Sequence, residues 1–366
     1  MTKENILKEV LSVFTRIEIY KYVKKIINKM VDCGYNHYIV GGVIRDLILS
    51  VTSGKTSSSV KDIDLVVEAK EYDKIVKLMT DITFTSPSRI IKHHRFFTLS
   101  IFIEENKDAA IRIDVSIPRK EKYPYDGALP EVSVGSVYDD IFRRDFTINA
   151  IALRYNIINK NYDFYDPFGG IDDLRRKYIR ILHNKSFYDD PTRIIRAIRF
   201  SAKLGFKIEP VTEKYLKEAM KDNVLLKISD NRLVNEFLHI LKKGENLQTV
   251  VKLFKLYKVA NVYREQLGGL FSTFEKKCLE IELEKVKDDY DRFFIRLLYL
   301  LENTYGKVAI LGRNNATSTF KNAMVSLYIP KMQRQRIYEA IRFITSNKKK
   351  NLPPWVEKYI SGSYNL

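Results

Sequence analysis

The stretch Tyr38-Ile-Val-Gly-Gly-Val-Ile-Arg-Asp46, followed by Asp62-Ile-Asp-Leu-Val-Val67, constrains this chain more than any other. An apolar strand delivers the backbone to Gly41-Gly42, where missing Cβ atoms let main-chain amides approach a phosphate. The helix opening there offers its N-terminal N–H groups to an anion, and Arg45 can add a cation. In Asp62-Ile63-Asp64 the strand period of two puts both carboxylates on one face and Ile63 on the other, toward a core. Carboxylates so spaced suit two bridged Mg²⁺ ions, which sit roughly 3.5 to 4 Å apart and stabilise the attacking and leaving oxygens of an in-line displacement. A bare D-x-D is more often a solvated strand end; the glycine pair is what points to metal and triphosphate.

Upstream, Ile6, Val10, Phe14, Ile17 and Tyr20 recur at helical spacing with lysines between them, which predicts an amphipathic helix or helix pair over about residues 5–30. A helix from about Val43 to Leu49 follows the glycines, and the small polar run from Ser50 to Ser59 reads as a surface loop. Its Gly54-Lys55-Thr56 is not a phosphate loop, because no earlier glycine stands at the required position and no strand feeds it. A helix over about Lys70 to Thr80 precedes a hairpin of Phe97–Ile103 and Ala110–Val115. Asp114 ends the second of these strands. It could complete the metal cage or act as base toward an attacking hydroxyl, or it could be a turn residue with neither role. The charged segment from Pro118 to Pro130 has the character of a lid over a bound nucleotide.

Phe142-Arg-Arg-Asp-Phe-Thr-Ile-Asn-Ala150 is dense in charge among apolar residues. Arg143 and Arg144 can hold phosphate, while Asp145 and Asn149 can accept from and donate to a ribose hydroxyl; Asp145 or Thr147 could also cap a helix. Asp189-Asp190-Pro191 opens a helix in which Arg193, Arg196 and Arg199 recur every three residues. Such a stripe is usually a solvated face, but Asp190 and Arg193 are adjacent on the helix surface and together could offer a nucleobase edge an acceptor and donors. Arg232 and Glu236 stand one turn apart, as an ion pair would. Near the C-terminus, Lys331, Arg334, Arg336, Arg342, Lys348, Lys349 and Lys350 mix with Tyr338, Phe343, Trp355 and Tyr359, a pattern suited to RNA or to a solvated basic face.

Composition agrees without deciding. The formal net charge of +18 favours a polyanionic partner, and 366 residues allow two or three domains. Two distant cysteines, Cys33 and Cys278, indicate neither a disulfide partner nor a zinc site. The N-terminus lacks the order of a signal peptide, and the apolar run Phe293–Leu301 is broken by Arg296, so no membrane is implied and a cytoplasmic setting is expected.

Taken in order, Gly41-Gly-Val-Ile-Arg-Asp46, Asp62-Ile-Asp-Leu-Val-Val67, Arg143-Arg-Asp-Phe-Thr-Ile-Asn-Ala150, Asp166-Pro-Phe-Gly-Gly170, Asp189-Asp-Pro-Thr-Arg193 and Ser229-Asp-Asn-Arg232 resemble the motif series of the bacterial-type (class II) tRNA nucleotidyltransferase and poly(A) polymerase family. The resemblance covers about residues 38–240. It implies an α+β fold: a polymerase-β-like nucleotidyltransferase head (1–155) with a small mixed sheet, then an all-helical neck (156–245), body and tail (246–366). The activity implied is CCA addition, whole or in part, to the tRNA 3′ end from CTP and ATP without a template. An A-adding or CC-adding specialist, a poly(A) polymerase and an inactive RNA-binding relative are the alternatives. Asp62 and Asp64, with Asp114, would be catalytic, the first two holding Mg²⁺. Gly41, Gly42, Arg45, Arg144, Asp145, Asn149, Asp190, Arg193 and Arg196 would bind the nucleotide, Asp145 sensing ribose and Asp190 with Arg193 the Watson-Crick edge. The basic tail would take the tRNA. Asp189 stands where many members have glutamate.

Overall fold

The computed structural model describes residues 1–53, 60, 62–106, 109–243, 246–259, 273–274 and 335. Residues 54–59, Cys278, the run Phe293–Leu301 and the basic and aromatic tail positions, including Lys331, Arg334, Arg336 and Lys348 to Lys350, lie outside them. The chain forms two compact units, one of residues 1–124 and 129–184, the other of residues 125–128 and 185–366.

The first unit contains, in order, α1 (Lys3–Phe14), α2 (Tyr20–Asp32), β1 (His37–Val40), α3 (Gly42–Ser53), β2 (Asp62–Val67), α4 (Tyr72–Thr80), β3 (Ser88–His93), β4 (Thr98–Asn106), β5 (Ala109–Ser116), β6 (Arg119–Lys122), β7 (Glu131–Val134), α5 (Val137–Phe142), β8 (Ala152–Asn156), β9 (Asn161–Tyr165), α6 (Gly170–Arg176) and β10 (Tyr178–Ile179). Among the described residues, seven strands form a mixed sheet in the order β3-β4-β5-β2-β1-β8-β9. Only β2 and β5 run parallel; the other neighbours are antiparallel.

Strand alternation sorts the two faces of this sheet. On one, Ile39, Ile63, Leu65, Leu99, Ile101, Ile113 and Val115 are buried. The apolar stripes of α1 to α4, among them Val10, Ile26, Leu47 and Ile75, are buried as well and complete that core. The opposite face is covered over part of its width, where α5 sets Val137 and Ile141 on Tyr38, Val40, Val66 and Ala152. Asp62 and Asp64 share that face and stay exposed. A strand with one fully buried face and a half-covered other face can therefore present carboxylates to solvent without burying their charge.

Several local expectations need correction. The helix after the glycines runs on to Ser53, into the expected loop, because Thr52 turns its hydroxyl back onto the Ile48 carbonyl (2.8 Å) and Ile48 is still core. The segment read as a lid loop has strands at both ends, β6 and β7 pairing from Arg119↔Val134 to Lys122↔Glu131. Strand β3 was not expected, since its Ser-Arg-Ile-Ile-Lys-His sequence shows no buried alternation, and it forms by pairing its backbone with β4 at the sheet edge.

The second unit is helical: α7 (Ser186–Asp189), α8 (Thr192–Leu204), α9 (Pro210–Lys221), α10 (Asp230–Lys243) and α11 (Leu247–Leu256), with the two-residue strand β11 (Lys207–Ile208). Gly205, at φ +68°, ends α8 in the left-handed conformation that glycine adopts without strain. Glu209 caps α9 by accepting from the Thr212 amide (2.8 Å), with Pro210 in the first turn. Phe237, Phe254 and Phe274 meet edge to face in its core. The fold class is thus α+β, a sheet-bearing head followed by helices. No helix among the described residues is long and apolar enough to cross a membrane.

Candidate active site

Gly41 links β1 to α3 at φ +84°, and its carbonyl accepts from the Ile44 amide to open the helix (3.2 Å). A Cβ there would stand 3.2 Å from Asp64 Oδ2 and 3.3 Å from Arg144 Nη1. The glycine therefore borders both a carboxylate of β2 and a guanidinium from after α5. Arg45 lies against the second glycine instead, its Nη2 3.2 Å from where a Cβ of Gly42 would stand. It is buried, forks onto Asp46 (2.7 and 2.9 Å) and donates to Asn149 Oδ1 (2.6 Å), and Asn149 Nδ2 in turn donates to Asp145 Oδ1 (2.9 Å). Arg45 and Asn149 thus tie the glycine helix to Asp145, whose Oδ1 also accepts from the Phe146 amide. The helix-cap alternative fails: Thr147–Asn149 is a single 3₁₀ turn with no side-chain cap, and the Thr147 hydroxyl goes to Asp173 (2.7 Å).

Asp64 and Asp114 stand in one cross-strand row, with Asp62 in the next, opposite Arg112. Asp64 is register partner of Val40 on β1 and Asp114 on β5, and Asp114 of Ser100 on β4. Asp114 is therefore a strand residue beside Asp64 and not a turn. Its carboxylate is taken by Arg112, Nε to Oδ1 (3.0 Å) and Nη2 to Oδ2 (2.7 Å). Among the described residues no three carboxylate, imidazole or thiolate groups converge into a metal cage. Asp62 and Asp64 nevertheless fit a hard divalent ion by donor chemistry, two carboxylates on one strand face. Asp64 reaches solvent, yet the protein around it removes enough water to push its carboxyl above the usual range. Arg144 opposes that shift, and Asp114 and Asp62 add to it. Negative charge crowded in this way is what a bound cation relieves.

Behind Arg144 lies a group that sequence reading passed over. Asp140, buried on α5, accepts from Arg143 Nε and Nη2 (3.1 and 2.8 Å) and, through its other oxygen, from Arg144 Nη2 (3.3 Å). Burial alone would raise its pKa, but Arg143 and Arg144 outweigh that and hold the carboxyl below the usual range. Glu121 of β6 accepts from Arg119, Arg143 and Tyr123, so Arg143 also anchors the start of the β6–β7 hairpin. The spacing of Asp140 from Arg143 and Arg144, one helical turn, was the available signal.

In the second unit the arginine stripe of α8 is not a solvated face. Arg193 is buried and donates to Ser186 Oγ (2.6 Å). Arg196 and Arg199 pair with Glu236 of α10 (3.2 and 3.4 Å). Glu236 thus has partners on another helix, and Arg232, expected to pair with it, instead donates to Asp190 Oδ1 and to the Gly127 carbonyl (2.7 Å each). Asp190 Oδ1 also accepts from the Thr192 amide and hydroxyl (3.1 and 2.6 Å). Asp190 is therefore fixed through one oxygen.

Residues 37–180 match the family described as the Poly A polymerase head domain. The chain is 36% identical over 277 residues to an A-adding tRNA nucleotidyltransferase of Aquifex aeolicus, covering 73% of this chain and 31% of that protein. It is 31% identical over 275 residues to a CCA-adding enzyme of Enterococcus faecalis, covering 72% and 60%. A crystal structure of a tRNA nucleotidyltransferase complexed with a primer tRNA and an incoming ATP analogue superposes with a TM-score of 0.59 at 26% identity, over 92% of this chain and 90% of that one. The chain spans less than two thirds of either of these two sequence relatives.

Proposed function

The chain belongs to the class II tRNA nucleotidyltransferase and poly(A) polymerase family, and on that premise we propose that it adds CCA, or part of it, to tRNA 3′ ends from CTP and ATP without a nucleic-acid template, releasing pyrophosphate. The observation that carries this is Asp62 and Asp64 on one open strand face, with Gly41 and Arg144 against Asp64. Two Mg²⁺ ions on these aspartates would neutralise the charge that develops on the attacking and leaving oxygens. Gly41 leaves room for the triphosphate beside Asp64, Gly42 lets the Arg45 guanidinium lie against the backbone, and Arg144, steadied by Asp140, meets the triphosphate oxygens. Asp145, steadied by Asn149 and Arg45, takes a ribose hydroxyl.

In the second unit, Asp190 and Arg193 take the base edge, with Arg196 behind them. Arg232 and Thr192 hold one oxygen of Asp190, and a side chain fixed in this way discriminates better than a mobile one, since good bidentate contacts are worth roughly 1–3 kcal/mol. The tail lysines and arginines are assigned to the acceptor arm of tRNA. An exposed, unpaired Cys33 fits a reducing cytoplasm.

The test is an incorporation matrix of tRNA ending before CCA, after CC, or complete, each with CTP, ATP or both. Completion of CCA is expected. Incorporation of ATP alone and only after CC marks an A-adding specialist, arrest after two C residues a CC-adding one, and long A-tails on unrelated RNA refute a tRNA substrate. Asp62→Ala that folds and still adds nucleotides refutes the catalytic assignment.

A further inference from the structure

The sheet order places the glycines and Arg144 on the β1 side of Asp62 and Asp64, and β5, β4 and β3 on the other side. In an in-line displacement the leaving pyrophosphate and the attacking hydroxyl lie on opposite sides of the transferred phosphorus. With the triphosphate beside Gly41, the RNA 3′ end has to arrive over β5, β4 and β3.

Beside the Asp64–Asp114 row, a second cross-strand row stands on that side. Asp62 is register partner of Arg112, Arg112 of Phe102, and Phe102 of Arg89, so all four side chains project from the same face. Phe102 lies between the two arginines, with the Arg89 guanidinium 5.1 Å and the Arg112 guanidinium 5.9 Å from its ring centroid. Arg89 and Arg112 are exposed. Arg89 has no carboxylate partner among the described residues. Arg112 spends Nε and Nη2 on Asp114, which leaves Nη1 and the outer edge of its fork without a protein acceptor among them. The ring presets two guanidiniums above the sheet, where each can take a phosphate oxygen or stack beneath a base.

We propose that Arg89, Phe102 and Arg112 form the docking track for the 3′-terminal nucleotides of the RNA that is extended. The track ends beside Asp114 and Asp62, where the terminal hydroxyl must lie. This rests on the proposed nucleotidyl transfer. It adds the side from which RNA enters and the residues that meet it. A short polyanion is the occupant that the charge selects: the row offers cations over an aromatic ring, and at its far end His93 of the edge strand and His94 and Arg95 of the 3₁₀ turn that follows are also exposed.

Arg89→Glu tests the proposal, because an exposed edge-strand residue that lies over the Phe102 ring and has no carboxylate partner among the described residues can be reversed in charge without unfolding the head, and Arg89→Lys keeps the charge. Steady-state incorporation with tRNA lacking CCA is expected to show a KM for tRNA raised about tenfold in Arg89→Glu, the loss of one charge-assisted contact. The nucleotide KM and kcat stay unchanged, and Arg89→Lys behaves nearly as wild type. Fluorescence anisotropy of the same tRNA across a KCl series should show the log-log slope reduced by about 0.7 to 0.9, one phosphate contact. An unchanged tRNA KM and slope overturns the proposal, as does a rise in nucleotide KM alone, which would give the row to the triphosphate. If wild type incorporates nothing, the activity fails as proposed, and the anisotropy slope decides the track by itself.

Discussion

Gly41→Ala separates what the glycine does for the fold from what it does for the site. At φ +84° an alanine pays for a left-handed backbone, roughly 1–2 kcal/mol. Its Cβ would stand 3.2 Å from Asp64 Oδ2 and 3.3 Å from Arg144 Nη1, tighter than ordinary contact by a few tenths of an ångström. Both neighbours are side-chain ends that can yield, so the steric cost to folding is small. They are also the atoms proposed to meet metal and triphosphate, and Mg²⁺ tolerates little departure from octahedral geometry. Misplacement at a reacting centre costs about 100-fold in rate, or roughly 3 kcal/mol of barrier. Gly34→Ala is the control: at φ +76° it carries the same backbone strain, but nothing lies within 4 Å of its Cβ. Urea denaturation should therefore show both variants destabilised by about 1–2 kcal/mol. Nucleotide incorporation over a Mg²⁺ titration should collapse in Gly41→Ala only. Wild-type kcat in Gly41→Ala, or equal loss of activity in both, would refute the reasoning.

Asp140→Asn keeps shape but strands Arg143 and Arg144 beside a neutral amide; breaking a buried pair in this way should cost about 3–5 kcal/mol in urea denaturation and raise the nucleotide KM through Arg144. Because its carboxyl is held below the usual range, the stabilisation from Asp140 is present above the unfolded carboxyl pKa and is lost as pH falls through the folded one. His37 acts at higher pH. Burial pushes its imidazole down to about 4 from 6.5, so between those values the unfolded chain takes a proton that the folded chain refuses. Stability should fall by roughly 3 kcal/mol as pH drops through that window. His37→Phe, which keeps the ring stack on Tyr155, should flatten the dependence, and an unchanged slope would exclude His37 as its source.

Sequence by itself determined which groups stand on the first unit's open face. The glycine pair, the alternation of Asp62-Ile63-Asp64 and the motif order are local or periodic features, and a strand of period two must set those aspartates on one side whatever surrounds it. What neighbouring strands and helices contribute is not periodic, and only the tertiary structure decided it. Arg45 reads as a phosphate ligand from its place beside the glycines, but Asp46 and a residue 104 positions away, Asn149, claim its guanidinium. Glu236 looks like the partner of Arg232 one turn away, yet α8 brings Arg196 and Arg199 to it and leaves Arg232 for Asp190. The row from Asp62 to Arg89 is invisible along the chain, because β3 has no apolar alternation of its own and acquires its register from β4. Side-chain type and spacing state which groups are available for catalysis. Cross-strand register and helix packing choose their partners, since an ion pair or a ring contact depends on distance in space and not along the sequence.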